Sequence, residues 1–266
     1  MRWGEAFEKR RLGWMRIGVG ALILLRTTPL LAAFDIPWLR STTPLLDWPT
    51  GGFSLAFLPP AMIQALCVVR TLAAVLFTAG LGTRLAGLAC GVAGLLVAAQ
   101  YPFGFFFTIY LLYQAAILLA CTDAATQLTL RESQPLAPVG GVWLLRAFVA
   151  SVYFWAGLYK LRPDWLDGRT LLLFHQQSAI RGFLADLLFS EAWAPPLAAK
   201  LVAGLELSLG PLLLWEKSRR FALPLAYTFH LMLELSAHPD MLGWAMMVLL
   251  LSFAPPAPER PKRGFL

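Results

Sequence analysis

A polytopic bundle of membrane-spanning helices is the fold this sequence predicts, and three observations predict it. Hydrophobic residues make up 58% of the 266 and charged residues only 14%, with a mean hydropathy of +0.65. One soluble core could not hide that much apolar surface. The apolar residues also recur in stretches close to the roughly 20 residues that a helical span needs. Finally, the Lys and Arg residues behind the net charge of +7 gather at the ends of these stretches. There they set orientation rather than bind nucleic acid. The expectation is an all-α protein of about eight transmembrane segments whose main partner is the lipid bilayer.

Residues 1–13 form a charged N-terminus, and the apolar stretch 14–34 follows it, interrupted by Arg16 and Arg26. That stretch is longer than the apolar region of a signal peptide, so it is read as a retained span. A loop rich in Pro, Trp and Asp at 35–54 leads to a second span at 57–79. The third, 83–99, carries Gly87-x-x-x-Gly91 and Gly94, a spacing suited to close helix contact. The fourth covers 105–121 and the fifth 141–161, with a polar loop between them. Residues 164–192 alternate less regularly and read as an amphipathic interfacial stretch. Spans at 196–215, 221–237 and 241–253 follow, and 255–266 reads as a disordered tail. Residues 14–254 thus form one transmembrane domain. The cysteines Cys67, Cys90 and Cys121 lie in apolar segments without CxxC spacing and read as small hydrophobes.

Alternating these spans puts Arg2, Lys9, Arg10, Arg11, Arg84, Arg131, Lys217, Arg219, Arg220, Arg260, Lys262 and Arg263 on one side. The other side holds Arg40, Arg162, Arg169 and Arg181, nearly balanced by acids. The positive-inside rule then places both termini in the cytoplasm, as in a bacterial inner (plasma) membrane, and turns 162–195 outward.

Five ionisable residues fall within spans: Arg70, Arg146, Glu206, His230 and Glu234. A charge at the centre of a span costs about 2.5–3.5 kcal/mol on insertion scales, so each should face the interior and find a partner. A structural network of ion pairs explains any one of them as well as chemistry does. The whole set together points to a polar cavity. The histidines His175, His230 and His238 show no metal-ligand spacing, so no metal is expected.

Lys160 stands at the end of the fifth span, within Tyr153-Phe-Trp-Ala-Gly-Leu-Tyr-Lys-Leu-Arg-Pro-Asp-Trp-Leu-Asp-Gly168. A lysine there either snorkels to the headgroups as an anchor or turns inward, where a neutral amine is a base. This run resembles the Y-F-x-A-G-x-x-K-L-x-x-x-W-x-x-G motif of the horizontally transferred transmembrane (HTTM) domain family. The transmembrane part of the vitamin K-dependent gamma-glutamyl carboxylase is its best known example. Leu205-Glu-Leu-Ser208 through Trp215, with Ser218-Arg219, is similar to the family's acidic span and following S/T-R pair. Thr228-Phe-His230 is similar to its F-H helix and Arg16-Ile-Gly-Val-Gly20 to its first span. The likeness covers roughly residues 10–254.

The resemblance implies Lys160 as the base that deprotonates a reduced, vitamin K-like quinone, with O2 and CO2 as co-substrates of a glutamate carboxylation. It also implies an aromatic wall of Tyr153, Trp155, Tyr159 and Trp165 for the flat ring. The sequence departs from the carboxylase at Gln100-Tyr-Pro-Phe-Gly-Phe-Phe-Phe107, where the relative carries a functional histidine. The 266 residues also hold no counterpart of its large lumenal domain. Short bacterial members of the family imply the alternative of an accessory membrane protein, without carboxylase activity, that helps mature or export a secreted peptide beside a partner subunit.

Overall fold

The computed structural model describes residues 3–27, 58–99, 107–125, 128–130, 141–177, 179–180, 182, 185–186, 189–236 and 241–254. The expected loop at 35–54, the tail at 255–266, His238 and most of the segment at 100–107 lie outside these. Among the described residues every regular element is helical. They fall into two compact units, one drawn from Met1–Val142 and the other from Trp143–Ala254.

The first unit holds α1 (Trp3–Thr27), α2 (Pro60–Ala79), α3 (Thr83–Ala99) and α4 (Phe107–Ala120). Each helix packs on its neighbour in sequence, and α1 also touches α4. Helix α2 starts with Pro60 at its first position and ends at Gly80, whose left-handed φ of 78° returns its N–H to the Phe77 carbonyl. The glycine stripe of α3 lies against α4, as its spacing predicts. A Cβ at Gly91 would sit 2.7 Å from the Tyr113 carbonyl oxygen, and one at Gly94 would overlap the Tyr113 ring.

Arg16, fully buried in α1, explains how a charge survives inside this bundle. Its guanidinium donates to the carbonyls of Phe77 (2.5 Å) and Thr78 (2.7 Å) at the open end of α2, and to Leu128 (2.5 Å). The last carbonyls of a helix have no partner within it. An arginine fork meets several at once and carries the right charge for that end. Gly20 lets the two helices approach closely, since a Cβ there would collide with the Thr78 hydroxyl.

The second unit begins with α5 (Gly141–Tyr159), which ends in a tight turn before Pro163. Two short helices follow, α6 (Pro163–Leu166) and α7 (Arg169–Gln176). They lie where the sequence predicts an irregular amphipathic stretch. Helix α8 (Ala194–Leu214) turns into α9 (Glu216–Ser236), and α10 (Leu242–Leu250) closes the unit through one 3-10 turn at Leu251–Phe253. Both short helices pack on α8, and α9 packs on α8 and α10. Ser218 and Arg219 cap the open end of α8: the hydroxyl donates to Leu212 (2.7 Å) and the guanidinium to Leu213 (2.9 Å).

Helix lengths among the described residues bear out part of the expected count of eight spans. Among the described residues three helices, Ala61–Ala79, Gly141–Tyr159 and Ala194–Leu214, are long and apolar enough to cross a membrane. Thr83–Ala99, Phe107–Ala120 and Leu242–Phe253 are apolar but shorter. At about 1.5 Å per residue their described lengths fall short of the roughly 30 Å of a hydrocarbon core. Helices α1 and α9 carry too many charges at their ends to qualify by composition. The first helix starts at Trp3, well before residue 14, because Glu5, Glu8 and Lys9 are good helix formers that a hydropathy reading passes over. What stands is an all-helical membrane protein.

Replacing Arg16 with Met should lower stability by about 2–5 kcal/mol, because each buried carbonyl left without a donor costs about 1–3 kcal/mol. Thermal unfolding in detergent measures this. An Arg16→Met protein as stable as the parent would remove Arg16 from the cap of α2.

Candidate functional site

The motif around Lys160 is a local structure before it is a site. Ala150, Tyr153, Gly157 and Lys160 are three and four residues apart, so they form one stripe along α5. On α8 the facing stripe contains Ala203, Glu206, Leu207 and Gly210. Two glycines set the distance between the stripes. A Cβ on Gly157 would lie 2.7 Å from the Leu207 amide nitrogen and 3.1 Å from the Ala203 carbonyl oxygen. One on Gly210 would lie 2.7 Å from the Ala150 carbonyl oxygen. The helices therefore meet backbone to backbone, antiparallel, above and below Glu206.

That approach puts Lys160 Nζ 2.6 Å from Glu206 Oε2. The side chains are 17% and 9% exposed, so the contact is largely shielded from solvent. An anchoring lysine would extend its amine toward water, but Lys160 turns its amine onto a carboxylate in the next helix. The Trp165 ring centroid lies 5.0 Å from the same amine, within cation–π range. The Trp165 indole N–H donates to the Ala199 carbonyl at 3.2 Å, which fixes the ring on α8. Gly168, at a left-handed φ of 79°, makes the turn that follows, where a Cβ would meet Pro195 and Pro196 at 2.7 Å. Tyr, Gly, Lys, Trp and Gly of the motif thus each have a physical task.

Outside the amine, the loop is held by exposed ion pairs. Arg162 chelates Asp164 (2.8 and 3.2 Å) and donates to the Tyr159 hydroxyl (2.9 Å). The hydrogen bond to Asp164 pushes the Arg162 guanidinium above its ordinary range, and the same bond holds the Asp164 carboxyl below the usual carboxylate range. Asp167 is held low chiefly by the Arg169 backbone N–H. Carboxylates shifted down in the fold tighten the loop above their unfolded values, near pH 4, and release it as the pH falls through the lowered ones.

About two turns below Lys160, Tyr153 and His230 form a second buried contact, with the hydroxyl 2.7 Å from Nε2. Their relative exposures are 2% and 3%, and the ring centroids are 5.6 Å apart. The His230 Nδ1 is buried without a hydrogen-bond partner among the described residues.

The remaining expected site residues have other surroundings. Arg146 donates to the Ser252 carbonyl (2.7 Å) just beyond α10, and Glu234 accepts the Trp244 N–H (3.2 Å) in its first turn. A base at the carbonyl end and an acid at the amide end complement the dipole of α10. Both positions suit the stability of that helix. Arg70 is buried in the first unit, beside Tyr113 and within reach of Cys67 and Cys90. Trp155 is 63% exposed and packs edge-on against Phe154, while Tyr159 takes Arg162 on its face. Of the four aromatics, Trp165 covers the amine and Tyr153 turns to His230. The pairings Lys160–Glu206 and Tyr153–His230 join positions 46 and 77 residues apart. The sequence singles out all four residues without joining them, although a glycine one turn from each member of the first pair, Gly157 and Gly210, is a signal.

If the interhelical approach sets the site, Gly210→Leu should separate α5 from α8 and lower thermal stability. Lys160→Met or Glu206→Gln alone should destabilise by about 3–5 kcal/mol, because each strands a buried partner. The double variant should recover much of that loss, as unfolding of the four proteins in a double-mutant cycle would show. Additive losses would mean the two side chains do not pair.

The model of the HTTM domain matches residues 5–257, nearly the whole chain and both units. The chain matches no curated protein and no solved structure.

Proposed function

We propose, from the premise that this chain belongs to the HTTM domain family, that it is a quinol-dependent membrane enzyme with Lys160 as its base. Lys160 works at the outer face, and the bundle crosses the bacterial plasma membrane about eight times with both termini in the cytoplasm. The lysine and arginine asymmetry of the loops supports that orientation. The observation that carries the reading is the turned-in amine of Lys160, 2.6 Å from Glu206 and beneath Trp165.

The residues present suit a reduced, vitamin K-like quinone. A flat hydroxylated ring needs an aromatic surface and a basic nitrogen beside it, and Trp165 and Lys160 supply both. Exposed apolar groups such as Trp155 and Leu161 on the same segment suit entry from lipid. When bound, such a quinol supplies, after loss of its proton and reaction with O2, the base strength to deprotonate a carbon acid such as a glutamate side chain for addition of CO2. The protein's own task is smaller. Nζ must offer a lone pair, which a protonated amine lacks. Glu206 is placed to take the amine's proton, leaving a neutral amine and a carboxylic acid. Two neutral groups cost less to bury than separated charges. Trp165 excludes water and orients the ring. A secreted peptide is the proposed substrate, with an accessory subunit to present it.

The test is the protein in lipid nanodiscs with a reduced naphthoquinone, O2, labelled bicarbonate and a glutamate-rich peptide. Quinol oxidation and label incorporation are the readouts. Lys160→Arg should lose at least about 100-fold in rate, the lower range for a lost acid–base group, since a guanidinium stays protonated. Full activity in Lys160→Arg would contradict the base, and an inert parent protein would favour an accessory role in peptide maturation.

A further inference from the structure

We propose that Tyr153 and His230 form a proton relay behind the Lys160–Glu206 pair, with the His230 imidazole as the group that receives the proton Glu206 gives up. The inference rests on the reading of Lys160 as a base, because only a turnover that loads Glu206 needs an outlet.

The need follows from counting protons. When Nζ hands its proton to Glu206 and then takes one from a substrate hydroxyl, two protons occupy a site built to hold one. One of them must leave before the next cycle. At the amine end the Trp165 ring lies 5.0 Å from Nζ, with its N–H committed to Ala199, and this is the side the substrate ring would occupy. On the other side, the α5 stripe runs from Lys160 past Gly157 to Tyr153, and Gly157 and Gly210 bring the Glu206 level of α8 against that stretch. Glu206 is close enough for its charge to act on the Tyr153 hydroxyl. The hydroxyl in turn contacts His230 Nε2 at 2.7 Å.

A hydroxyl between a carboxyl and an imidazole can pass a proton without moving. Glu206 releases its proton through one bridging water to the Tyr153 oxygen as Tyr153 releases its own to Nε2. The tyrosine stays neutral with its hydroxyl hydrogen now on the Glu206 side, to be reset by rotation about its C–O bond; Glu206 becomes a carboxylate, and His230 becomes an imidazolium with protons on both nitrogens. No electrons move. This direction requires Nε2 to start as an acceptor, which leaves the first proton on Nδ1. The unpartnered Nδ1 is what makes His230 more than a core histidine. Burying a polar nitrogen without a partner is unfavourable, and structural histidines usually avoid that by bonding at both ends. Nδ1, buried and without a partner among the described residues, is the far end of the relay, from which the proton passes to a water or to a basic group on a bound molecule. The other titratable groups near the dyad are Tyr227, which acts on Tyr153, and Glu234, one turn along α9 and engaged by Trp244.

The test needs no substrate. The chain has three histidines, so the ring nitrogens of His230 can be assigned by 15N NMR with His230→Gln as the control. The experiment is a double-mutant cycle on their pH titration, in the full chain in nanodiscs. Glu206→Gln should shift the His230 titration in the parent, and that shift should fall by more than half in a Tyr153→Phe background. A simple field effect of Glu206 would survive the loss of one hydroxyl, so equal shifts in both backgrounds would overturn the relay. So would a parent imidazole with its proton on Nε2. Where quinol turnover is measurable, Tyr153→Phe should lower kcat about 10-fold or more with KM unchanged and raise the solvent deuterium isotope effect. An intact cycle beside a fully active Lys160→Arg protein would refute the base reading while leaving the coupling in place, so the two failures are separable.

Discussion

The close approach of α5 and α8 is the constraint on which the second unit depends. Gly157 and Gly210 each leave a backbone atom of the other helix where a side chain would stand. Lipid offers no hydrophobic drive for helix association, so small residues that admit backbone contact must supply it through packing. Once the helices touch there, Lys160 and Glu206 have nowhere to go but toward each other. Two charges that would each be costly facing lipid become one contact with little net charge. Trp165 and Gly168 then fold the chain back onto the start of α8 and cover the pair.

The first unit solves the same problem with different chemistry. One of its buried arginines, Arg16, has backbone carbonyls rather than a carboxylate as the acceptors shown, at the end of α2. Arg219 repeats the device at the end of α8, and Arg146 does so beyond α10. Three arginines within or beside apolar helices thus complete helix ends, which bring partial negative charge at no cost in added acidic residues. Lys160 stands apart from them. Its compact amine meets a side-chain carboxylate, and only that arrangement can hand a proton back and forth.

The helical, membrane-embedded character of the chain was legible because composition and periodicity report it directly. The break that ends α5 was legible too, since Pro163 marks it, whereas the left-handed turn at Gly168 emerged only in the fold. Span count was less so. Hydropathy measures solvent preference, whereas helix length depends on capping and on charged residues that extend a helix past the membrane, as at Trp3 and Glu216. For the five charges within spans, the sequence could require partners without naming them. Glu206 found Lys160, but Glu234 and Arg146 turned to the ends of α10, an outcome fixed by tertiary contacts 10 and 106 residues away. The Tyr153–His230 contact had no local signal at all.

The central claim is that Lys160 is held inward by Glu206 rather than extended to the bilayer surface. Solid-state NMR on the protein in phospholipid bilayers, labelled with 15N at lysine Nζ and 13C at glutamate Cδ, measures it directly. The account predicts strong dipolar recoupling between Lys160 Nζ and Glu206 Cδ, lost in Glu206→Gln when that residue is unlabelled, and no contact from Lys160 to lipid phosphorus. A Lys160 amine coupled to headgroup 31P and not to Glu206 would contradict it.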